Sequence, residues 1–481
     1  MISRSPALAP VAVIGVAVAA CTVGPQYRGP PPVAADAIAR GGFVRAQDTL
    51  LSPGPGVARW WETLGDPVLT SLEEQALAGS PSIEVATAKL RQARAQVREQ
   101  KAANVPGIKP NATYGRAKLP GSSLGSLGSS DNAGSPPSTV ISFYDLGLTA
   151  SWEPDLFGGT RRSIEEAQAT VGARFSDLAD AQVSLTAQVA EAYVNLRDTQ
   201  TRLRLNQDSS NLQQQQLDLN EQRARAGTSS HLDLDRQVNQ LENTKAQIIP
   251  LAAQVEQYMN ELAALTGQTP GALDAALIAV ASVPLPPQSV PIGDPAALVS
   301  NRPDIRSAER SLAASTADIG VAKAKLFPSV SFIGILGLGG STPSDMFDVR
   351  DLTTLVAPSL TWDLSGLAKN AAAMHAAEAE RDQAQAQYRK AVLQALQDAE
   401  TALSRFGHYR EQLAGLMRAQ AAADSASTLN SLRVRAGTSS TLDQLDIERQ
   451  RLSAAISVAQ GTAALTNSYI AVQKSLGLGW Q

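Results

Sequence analysis

The feature that most constrains this chain is a nearly exact repeat of eight residues. Residues Arg223–Ser230 read RARAGTSS and residues Arg433–Ser440 read RVRAGTSS, an offset of 210 residues. Trp152 and Trp362 stand at the same offset, and each ends a strand-like run that precedes a long helical pattern. Solenoid repeats span roughly 20–50 residues, so this offset indicates two copies of one large unit. The chain is therefore expected to be a duplicated fold.

The beginnings of the two halves also match, but at a different offset. Pro81 pairs with Pro303 and Pro106 with Pro328, which are 222 residues apart. The offset must therefore change from 222 to 210 residues between Pro106 and Trp152. A Gly- and Ser-rich tract at 121–130 lies in this interval and predicts an exposed loop.

The amino terminus predicts export and lipidation. Arg4 precedes an apolar stretch, Ala7–Ala20, that is too short to span a bilayer stably, so residues 1–20 are interpreted as a signal peptide. Cys21, the only cysteine of the chain, follows directly. This ending resembles the bacterial lipoprotein signal, which implies cleavage before Cys21 and a covalent lipid on its sulfur and new amino group. The alternative is a short buried segment with an incidental cysteine.

Composition and motifs exclude several classes of protein. The 41 basic and 45 acidic residues nearly balance, which gives no electrostatic argument for nucleic acid. No Gly-x-x-x-x-Gly-Lys motif or nucleophile elbow occurs, and the three histidines lie far apart without cysteine partners. We therefore expect no enzymatic activity, metal site or other cofactor. No later stretch of about 18 apolar residues follows, so a membrane crossing would require a barrel.

Each half is predicted to contain a short helix, two strands, a long helix and a return helix. In repeat 1 (66–267) these elements span 81–103, 108–118, 141–152, 160–226 and 231–266. In repeat 2 (294–481) they span 303–325, 329–338, 352–362, 367–436 and 441–476. A lipidated extended segment (21–65) precedes the repeats, and a Pro-rich equatorial linker (268–293) joins them.

The strand and helix patterns indicate a membrane duct with a helical extension. Residues 144–152 alternate between apolar side chains and small or polar ones, as lipid-facing barrel strands do, although a soluble amphipathic hairpin is the alternative. Each long helix would measure ~100 Å at 1.5 Å per residue and shows the heptad spacing of coiled coils. Four strands cannot close a barrel, for which about eight are needed. A dimer would supply eight strands, but side chains nearly fill a barrel of that size. A conducting lumen therefore favours a trimer or a larger assembly.

These residues resemble the TolC-like outer-membrane efflux proteins, or outer membrane factors, and among them the OprM- and NodT-like lipoproteins. The resemblance covers essentially the whole mature chain and rests on the order and spacing of several motifs, which are Cys21–Tyr27 (CTVGPQY), Trp60-Trp61, Asp66-Pro67, Asn301–Ile305 (NRPDI), Ala324–Pro328 (AKLFP) and the twin Arg-Ala-Gly turns. It implies a mixed α and β membrane protein, a homotrimer with a 12-stranded transmembrane β-barrel and an α-helical coiled-coil barrel. It also implies an outer-membrane exit duct that extends into the periplasm and docks a periplasmic adaptor and an inner-membrane transporter.

The resemblance implies site residues at the helix turns. Leu442 and Asp446 match the family's periplasmic gate, whereas the first repeat has Leu232 and Arg236 there. Three symmetry-related carboxylates on a narrow axis would repel each other and bind cations or hold protons. An ordinary solvated acid in a first helical turn is the alternative.

The turns themselves are the predicted adaptor contacts. Gly227, Thr228, Gly437 and Thr438 lie there, although this chain has Ala before and Thr after each glycine, where the family often has a β-branched and an aliphatic residue. A plain left-handed helix stop is the alternative reading.

Trp152 and Trp362 are predicted to belong to an interfacial aromatic belt, with core packing as the alternative. A non-conducting, lipid-anchored coiled-coil scaffold or adhesin is the alternative function for the whole chain, and an envelope hydrolase has no supporting residues. The cargo is not indicated by the sequence.

Overall fold

A computed structural model describes residues 22–46, 50–119, 139–228 and 230–480. The predicted signal peptide, the predicted lipidation site Cys21 and the Gly/Ser-rich tract lie outside the described residues. The chain divides into two compact units. We call the first the sheet unit (1–30, 92–171 and 310–385) and the second the core unit (31–91, 172–309 and 386–481).

The two halves contain the same succession of main elements. The first half has α1 Pro67–Gly79, α2 Pro81–Ala103, β1 Gly107–Leu119, β2 Thr139–Trp152, α3 Gly159–Arg225 and α4 His231–Leu265. The second has α5 Pro295–Asn301, α6 Pro303–Ala324, β3 Ser329–Gly340, β4 Leu352–Thr361, α7 Leu367–Arg435 and α8 Thr441–Ser475. The smaller elements are the helices Ala35–Ala39 and Asp274–Leu277, the 3₁₀ helices Trp60–Leu64, Pro343–Phe347 and Val349–Asp351, and the two-residue strands Leu51–Ser52 and Val290–Pro291. The helices α1 and α5 were not separated by the sequence analysis. Within the described ranges, no helix is both long and apolar enough to cross a bilayer.

The sheet unit contains one antiparallel sheet in the order β1-β2-β3-β4, so its two central strands come from different halves. β3 extends through Gly339 and Gly340, beyond the predicted end at residue 338, and these glycines pair with Asp145 and Tyr144. A Cβ on Gly147 would lie 2.6 Å from the carbonyl oxygen of Leu336. The backbones of the two central strands, β2 and β3, thus come close together at glycines, where no side chain separates them.

The two faces of the sheet differ in polarity. One face has a polar cluster in which Asn111 donates to Asp145 (2.8 Å) and Thr149 donates to Asn111 (3.1 Å). The opposite face carries large apolar side chains that are more than a third exposed: Ile108, Tyr114, Val140, Leu146, Leu148, Trp152, Phe332, Leu336, Leu352, Val356, Leu360 and Trp362. The face with the polar cluster is mixed, since it also carries Ile141, Phe143, Ile333 and Leu355, each more than a third exposed. The alternation that the sequence predicted is therefore clear at residues 144–152 and weaker in the rest of the sheet.

The same tryptophan contact occurs at the end of each strand pair. The indole Nε1 of Trp152 donates to the carbonyl oxygen of Asn104, and that of Trp362 donates to the carbonyl oxygen of Leu326, each at 3.3 Å. The donors are 210 residues apart and the acceptors 222 residues apart, which are the two offsets of the repeat. Each indole therefore joins the end of a strand pair to the end of the short helix that precedes it.

The main hydrophobic core lies in the core unit and contains the Trp60-Trp61 pair. The Trp60 ring meets Trp61 and Tyr469 edge-on, with centroids 5.9 and 6.0 Å apart. Both tryptophans are 1% exposed. Edge-to-face aromatic pairs contribute about 0.5–1.5 kcal/mol beyond the area they bury. The motif that supported the family resemblance is therefore a packing element.

A buried arginine attaches the Pro-rich linker to α3. Arg197 is 2% exposed and donates to the carbonyl oxygens of Leu277 (3.1 Å) and Ala279 (2.6 Å). Its guanidinium lies 4.8 Å from the ring centroid of Tyr193, whose hydroxyl donates to Asp66 at 2.7 Å. Burial, together with this hydrogen bond to Asp66, raises the pKa of Tyr193 to about 12. The linker is thus held by directed hydrogen bonds as well as by apolar packing.

The NRPDI motif also has a structural role in the core unit. Arg302 donates to both carboxylate oxygens of Asp304 (2.9 Å each) and to Asp398 (3.2 Å). It donates further to the carbonyl oxygen of Ser475 at the end of α8 (2.8 Å). One guanidinium therefore fixes the start of α6 against α7 and the end of α8.

Glu73 is an exception to the rule that buried polar groups are paired. It is fully buried on α1, and neither of its carboxyl oxygens has a hydrogen-bond partner among the described residues. Burial raises the pKa of Glu73 well above its usual value. A carboxyl whose pKa is raised by folding makes the folded protein less stable at high pH. The loss begins as the pH rises above the unfolded-state pKa, about 4.3, and is complete above the folded-state pKa.

We expect Glu73→Gln to raise the midpoint of thermal unfolding, because the amide keeps the shape of the side chain and cannot ionise. The gain should be a few degrees at pH 8, since about 1.4 kcal/mol accompanies each pKa unit. It should shrink towards pH 4.5. Circular dichroism melts of the purified protein at several pH values check this. A gain that is independent of pH would contradict the assignment.

A candidate gate and docking surface at the helix turns

Both long helices end in the same hydrogen-bonded turn. Gly227 and Gly437 adopt φ values of 74° and 72°, the left-handed region that favours glycine. The amide of Thr228 donates to the carbonyl oxygen of Arg223 (2.8 Å), and its hydroxyl donates to the same atom (2.9 Å). Thr438 and Arg433 repeat the arrangement at 2.9 and 3.1 Å. This is a Schellman turn closed by a threonine hydroxyl, so the threonine after each glycine has a local role.

A serine and an aspartate begin each return helix. The hydroxyl oxygen of Ser230 accepts the amide of Asp233 (3.2 Å), and that of Ser440 accepts the amide of Asp443 (3.1 Å). Each hydroxyl also donates to the same aspartate's carboxylate, at 2.8 and 2.7 Å. These hydrogen bonds from Ser440 hold the pKa of Asp443 below its usual value. Each serine is thus the N-cap of its return helix, and the aspartate three residues later completes the cap.

An open cleft of about 700 Å³ lies at the first turn. It is lined by Asn220, Arg223, Gly227, Thr228, Ser230, Asp233, Arg236, Gln237 and Leu442. Leu442 comes from α8, so the fold brings the predicted gate leucine to the predicted contact residues of the first turn. Gly437, Thr438 and Asp446 do not line this cleft.

Asp446 is ion-paired within its own helix. Arg449 donates to one carboxylate oxygen (2.9 Å) and Gln450 to the other (3.1 Å). The Asp446 side chain remains about half exposed, at 52%. The sequence analysis treated Asp446 as an isolated carboxylate and missed both partners, although residues three and four positions apart on a helix are neighbours. In the first repeat the matching residue, Arg236, lies 3.8 Å from Asp233 instead.

A polar network joins the two helices of the second hairpin, α7 and α8. Ser427 donates to Glu448, which also accepts from Arg451 at 2.7 Å. Gln444 donates to the carbonyl oxygen of Ser427 (3.3 Å) and accepts from Asn430 (3.0 Å). Burial opposes the charged form of Glu448, but these hydrogen bonds from Ser427 and Arg451 lower its pKa overall.

The first hairpin, α3 and α4, has leucines where the second has this network. At the 210-residue offset, Ser427, Gln444 and Arg451 correspond to Leu217, Leu234 and Leu241. Leu217 and Leu241 are buried. Apolar contacts tolerate sliding, whereas hydrogen-bonded networks specify register. The register of the second hairpin is therefore fixed by directed bonds close to Asp446.

Within the described part of the chain, no group of three His, Cys, Asp or Glu side chains is arranged to hold a metal ion. The arrangement at the turns instead offers a cleft, two rigid turns and paired charges. These features suit contact with another protein or with ions.

Comparison with known proteins identifies a family that matches most of the chain. The sequence matches the family described as "Outer membrane efflux protein" over residues 72–268 and 295–478. It is 30% identical over 435 residues to the pyoverdine export outer membrane protein OpmQ of Pseudomonas aeruginosa, covering 89% of each chain.

Two solved structures are similar over nearly their whole length. The outer-membrane channel OprN matches with a TM-score of 0.85 and 35% identity, over 96% of this chain and all of that one. The open state of the Neisseria gonorrhoeae MtrE outer membrane channel matches with a TM-score of 0.78 and 28% identity, over 95% and 98% of the two chains. The resemblance drawn from the sequence is thus confirmed.

The network in the second hairpin leads to a paired prediction. We expect Arg451→Leu to cost about 1 kcal/mol, because it removes a half-exposed partner of Glu448. The fourfold variant Ser427→Leu/Gln444→Leu/Glu448→Val/Arg451→Leu copies the first hairpin and should cost less, since networks replaced whole by apolar residues are often neutral. Hydrogen exchange of amides 420–455 measures both. A fourfold variant that exchanges faster than Arg451→Leu would rule out this reading.

Proposed function

This chain belongs to the outer membrane efflux protein family, and from that membership we propose that it is the exit duct of a tripartite efflux or secretion system. In this proposal the duct spans the outer membrane and extends into the periplasm, and it is a transport protein rather than an enzyme. The observation that carries the proposal is the likeness to the channels OprN and MtrE over nearly the whole chain. The cargo stays open, because a duct wall need not be tuned to one substrate.

The sheet supports a homotrimeric assembly. Among the described residues, β1 and β4 pair on one side only, with β2 and β3 respectively. Unpaired backbone groups are not tolerated in the hydrocarbon core of a bilayer. If β4 of one copy pairs with β1 of the next, three copies close a barrel of 12 strands with the apolar face towards lipid and the Asp145 face towards the lumen.

Aromatic side chains on the apolar face support a membrane-facing role. Trp152 and Trp362 are 40% and 51% exposed, and Trp152 stacks on Phe332 with centroids 6.0 Å apart. A second pair, Tyr114 and Tyr144, lies further along the strands with centroids 4.9 Å apart. Tyr144 and Trp152 are eight positions apart, or roughly 27 Å at about 3.4 Å per residue and less if the strand tilts. This matches two aromatic girdles around an apolar band about 25 Å tall.

The turns support contacts with a periplasmic adaptor, which would connect the duct to an inner-membrane transporter. The cleft beside Gly227 and Thr228 is open and mixes arginines with apolar surface, so a helical tip could enter it. Gly437 and Thr438 form the matching turn in the second half. A covalent lipid on Cys21 would anchor the chain in the outer membrane.

The gate would lie at Leu442 and Asp446 of the second hairpin. Three copies of the Asp446–Arg449 pair around one axis would form a ring of alternating charge, in which each carboxylate is offset by a neighbouring guanidinium. Such a ring would be held closed by attraction between Asp446 of one copy and Arg449 of the next, because the pair within each helix is the same in an open and a closed ring. Only the second half supplies it, because the first has Arg236 at the matching position.

Reconstitution tests the duct function. We expect purified full-length protein to run as SDS-resistant, heat-sensitive trimers and to conduct ions across planar lipid bilayers, because only a closed ring of sheets satisfies the strand edges in lipid. A stable, water-soluble monomer that lacks conductance would favour a non-conducting scaffold or adhesin instead.

The gate is tested separately. We expect Asp446→Ala to raise open probability on the order of 3- to 100-fold, because exposed ion pairs contribute about 0.2–1 kcal/mol each and three contacts between copies would be lost. Glu242→Ala, which removes an exposed i,i+3 ion pair with Lys245 (2.9 Å) from the return helix of the first half, is the control and should leave conductance unchanged. Single-channel recording and uptake of large polar antibiotics measure the effect. Equal behaviour of the two variants would argue against a gate at Asp446.

A further inference from the structure

The first described residues of the chain are held in a groove of the sheet unit. The amide of Val23 donates to the carbonyl oxygen of Phe157 at 3.0 Å. Arg162 donates from Nε to the carbonyl oxygen of Val23 (3.3 Å) and from Nη2 to that of Gly24 (3.2 Å). Residues 22–24, which we call the strap, are therefore fixed through their backbone by the start of α3.

The groove depends on three glycines. A Cβ on Gly158 would lie 2.5 Å from Cγ2 of Thr22, and a Cβ on Gly24 would lie 2.5 Å from Cα of Gly320. A Cβ on Gly320 would lie 2.6 Å from Cγ of Arg162. Separations this short are not tolerated, so any larger residue at these positions must displace the strap or its arginine.

Arg162 is committed to this contact. It is 3% exposed, and its one carboxylate partner is Glu165 at 2.7 Å. A buried guanidinium is costly unless its donors are used. Two of those donors are used by the carbonyl groups of the strap. The strap and the arginine thus satisfy each other.

The groove occurs in one half only. Counted from the starts of α3 and α7, Gly158 and Arg162 correspond to Gly366 and Asn370, and at the 222-residue offset Gly320 corresponds to Arg98. The second half therefore keeps one of the glycines but lacks the arginine and the glycine of α6 that build the groove. The groove is therefore not a general feature of the duplicated fold. It occurs only where residues 22–24 lie, which indicates a specific role for this segment.

We propose that the strap is a docking element that fixes the acylated amino terminus to the junction of β2 and α3. The proposal rests on the proposed acylation of Cys21. Cys21 is joined to Thr22 by one peptide bond, so no free linker separates the acyl group from the docked backbone. The docked backbone would then restrict where the acyl chains enter the membrane, and the lipid anchor would be coupled directly to the sheet unit.

Thiol accessibility in the full-length, detergent-solubilised protein tests the strap. Acylation consumes the sulfur of Cys21, so Val23→Cys supplies one free thiol. We expect a polyethylene glycol maleimide to modify it at least about tenfold more slowly in native protein than in SDS, because the reaction requires local opening. Arg162→Met and Gly320→Val, each added to Val23→Cys, should remove most of that protection. Arg161→Met, which changes the same charge at a neighbouring exposed arginine, should not.

The two possible failures are distinguishable. Protein without Val23→Cys should show no reactive thiol in SDS. One reactive thiol there would contradict the acylation of Cys21. The strap would still be tested by the slower reaction of the Val23→Cys thiol in native protein. A Val23→Cys thiol that reacts equally fast in native and denatured protein would overturn the strap. Full protection in both Arg162→Met and Gly320→Val would overturn the groove. If either variant does not fold, the ratio of native to denatured rates decides the question alone.

Discussion

The unpaired edges of the four-stranded sheet are the constraint on which the rest of the molecule depends. β1 and β4 each leave one row of amide and carbonyl groups without a partner among the described residues, and the sheet presents a broad apolar face. In lipid each such group costs several kcal/mol. Neither half alone offers more than one strand pair, and the duplicated chain offers two. In the proposed duct, closure requires further copies of the chain, and the long helices that follow each strand pair would be brought together with them.

Duplication supplies the architecture, and the differences between the halves supply the specialised features. The indole hydrogen bonds of Trp152 and Trp362 and the two Schellman turns recur with nearly the same geometry. The halves diverge at the strap groove, at the leucines of the first hairpin and the polar network of the second, and at Arg236 against Asp446. One half thus receives the amino terminus, and the other carries the directed bonds and the acidic residue at its turn.

The sequence predicted what depends on local pattern. The glycine of each repeated octapeptide predicted a turn, and alternation along residues 144–152 predicted two faces of different polarity, because both follow from backbone preference and period. The pairing of Arg162 with Val23 spans 139 positions and that of Arg197 with Ala279 spans 82, and neither follows any period. The pairing of Asp446 with Arg449 did follow from helical spacing but was overlooked. Glu73 lies on α1, which the sequence did not separate from its surroundings, and only the packing of the folded chain shows that it is buried.

The most direct test of the account is whether the two sheet edges meet between copies. Single cysteines placed along β1 and along β4 of separate, differently tagged chains can be coexpressed and oxidised in membranes. The account predicts disulfides between β1 of one chain and β4 of another at one alternating set of positions, in complexes that native mass spectrometry weighs as three chains. No disulfide between the two differently tagged chains at any pair of positions, or a mass of one chain, would contradict it.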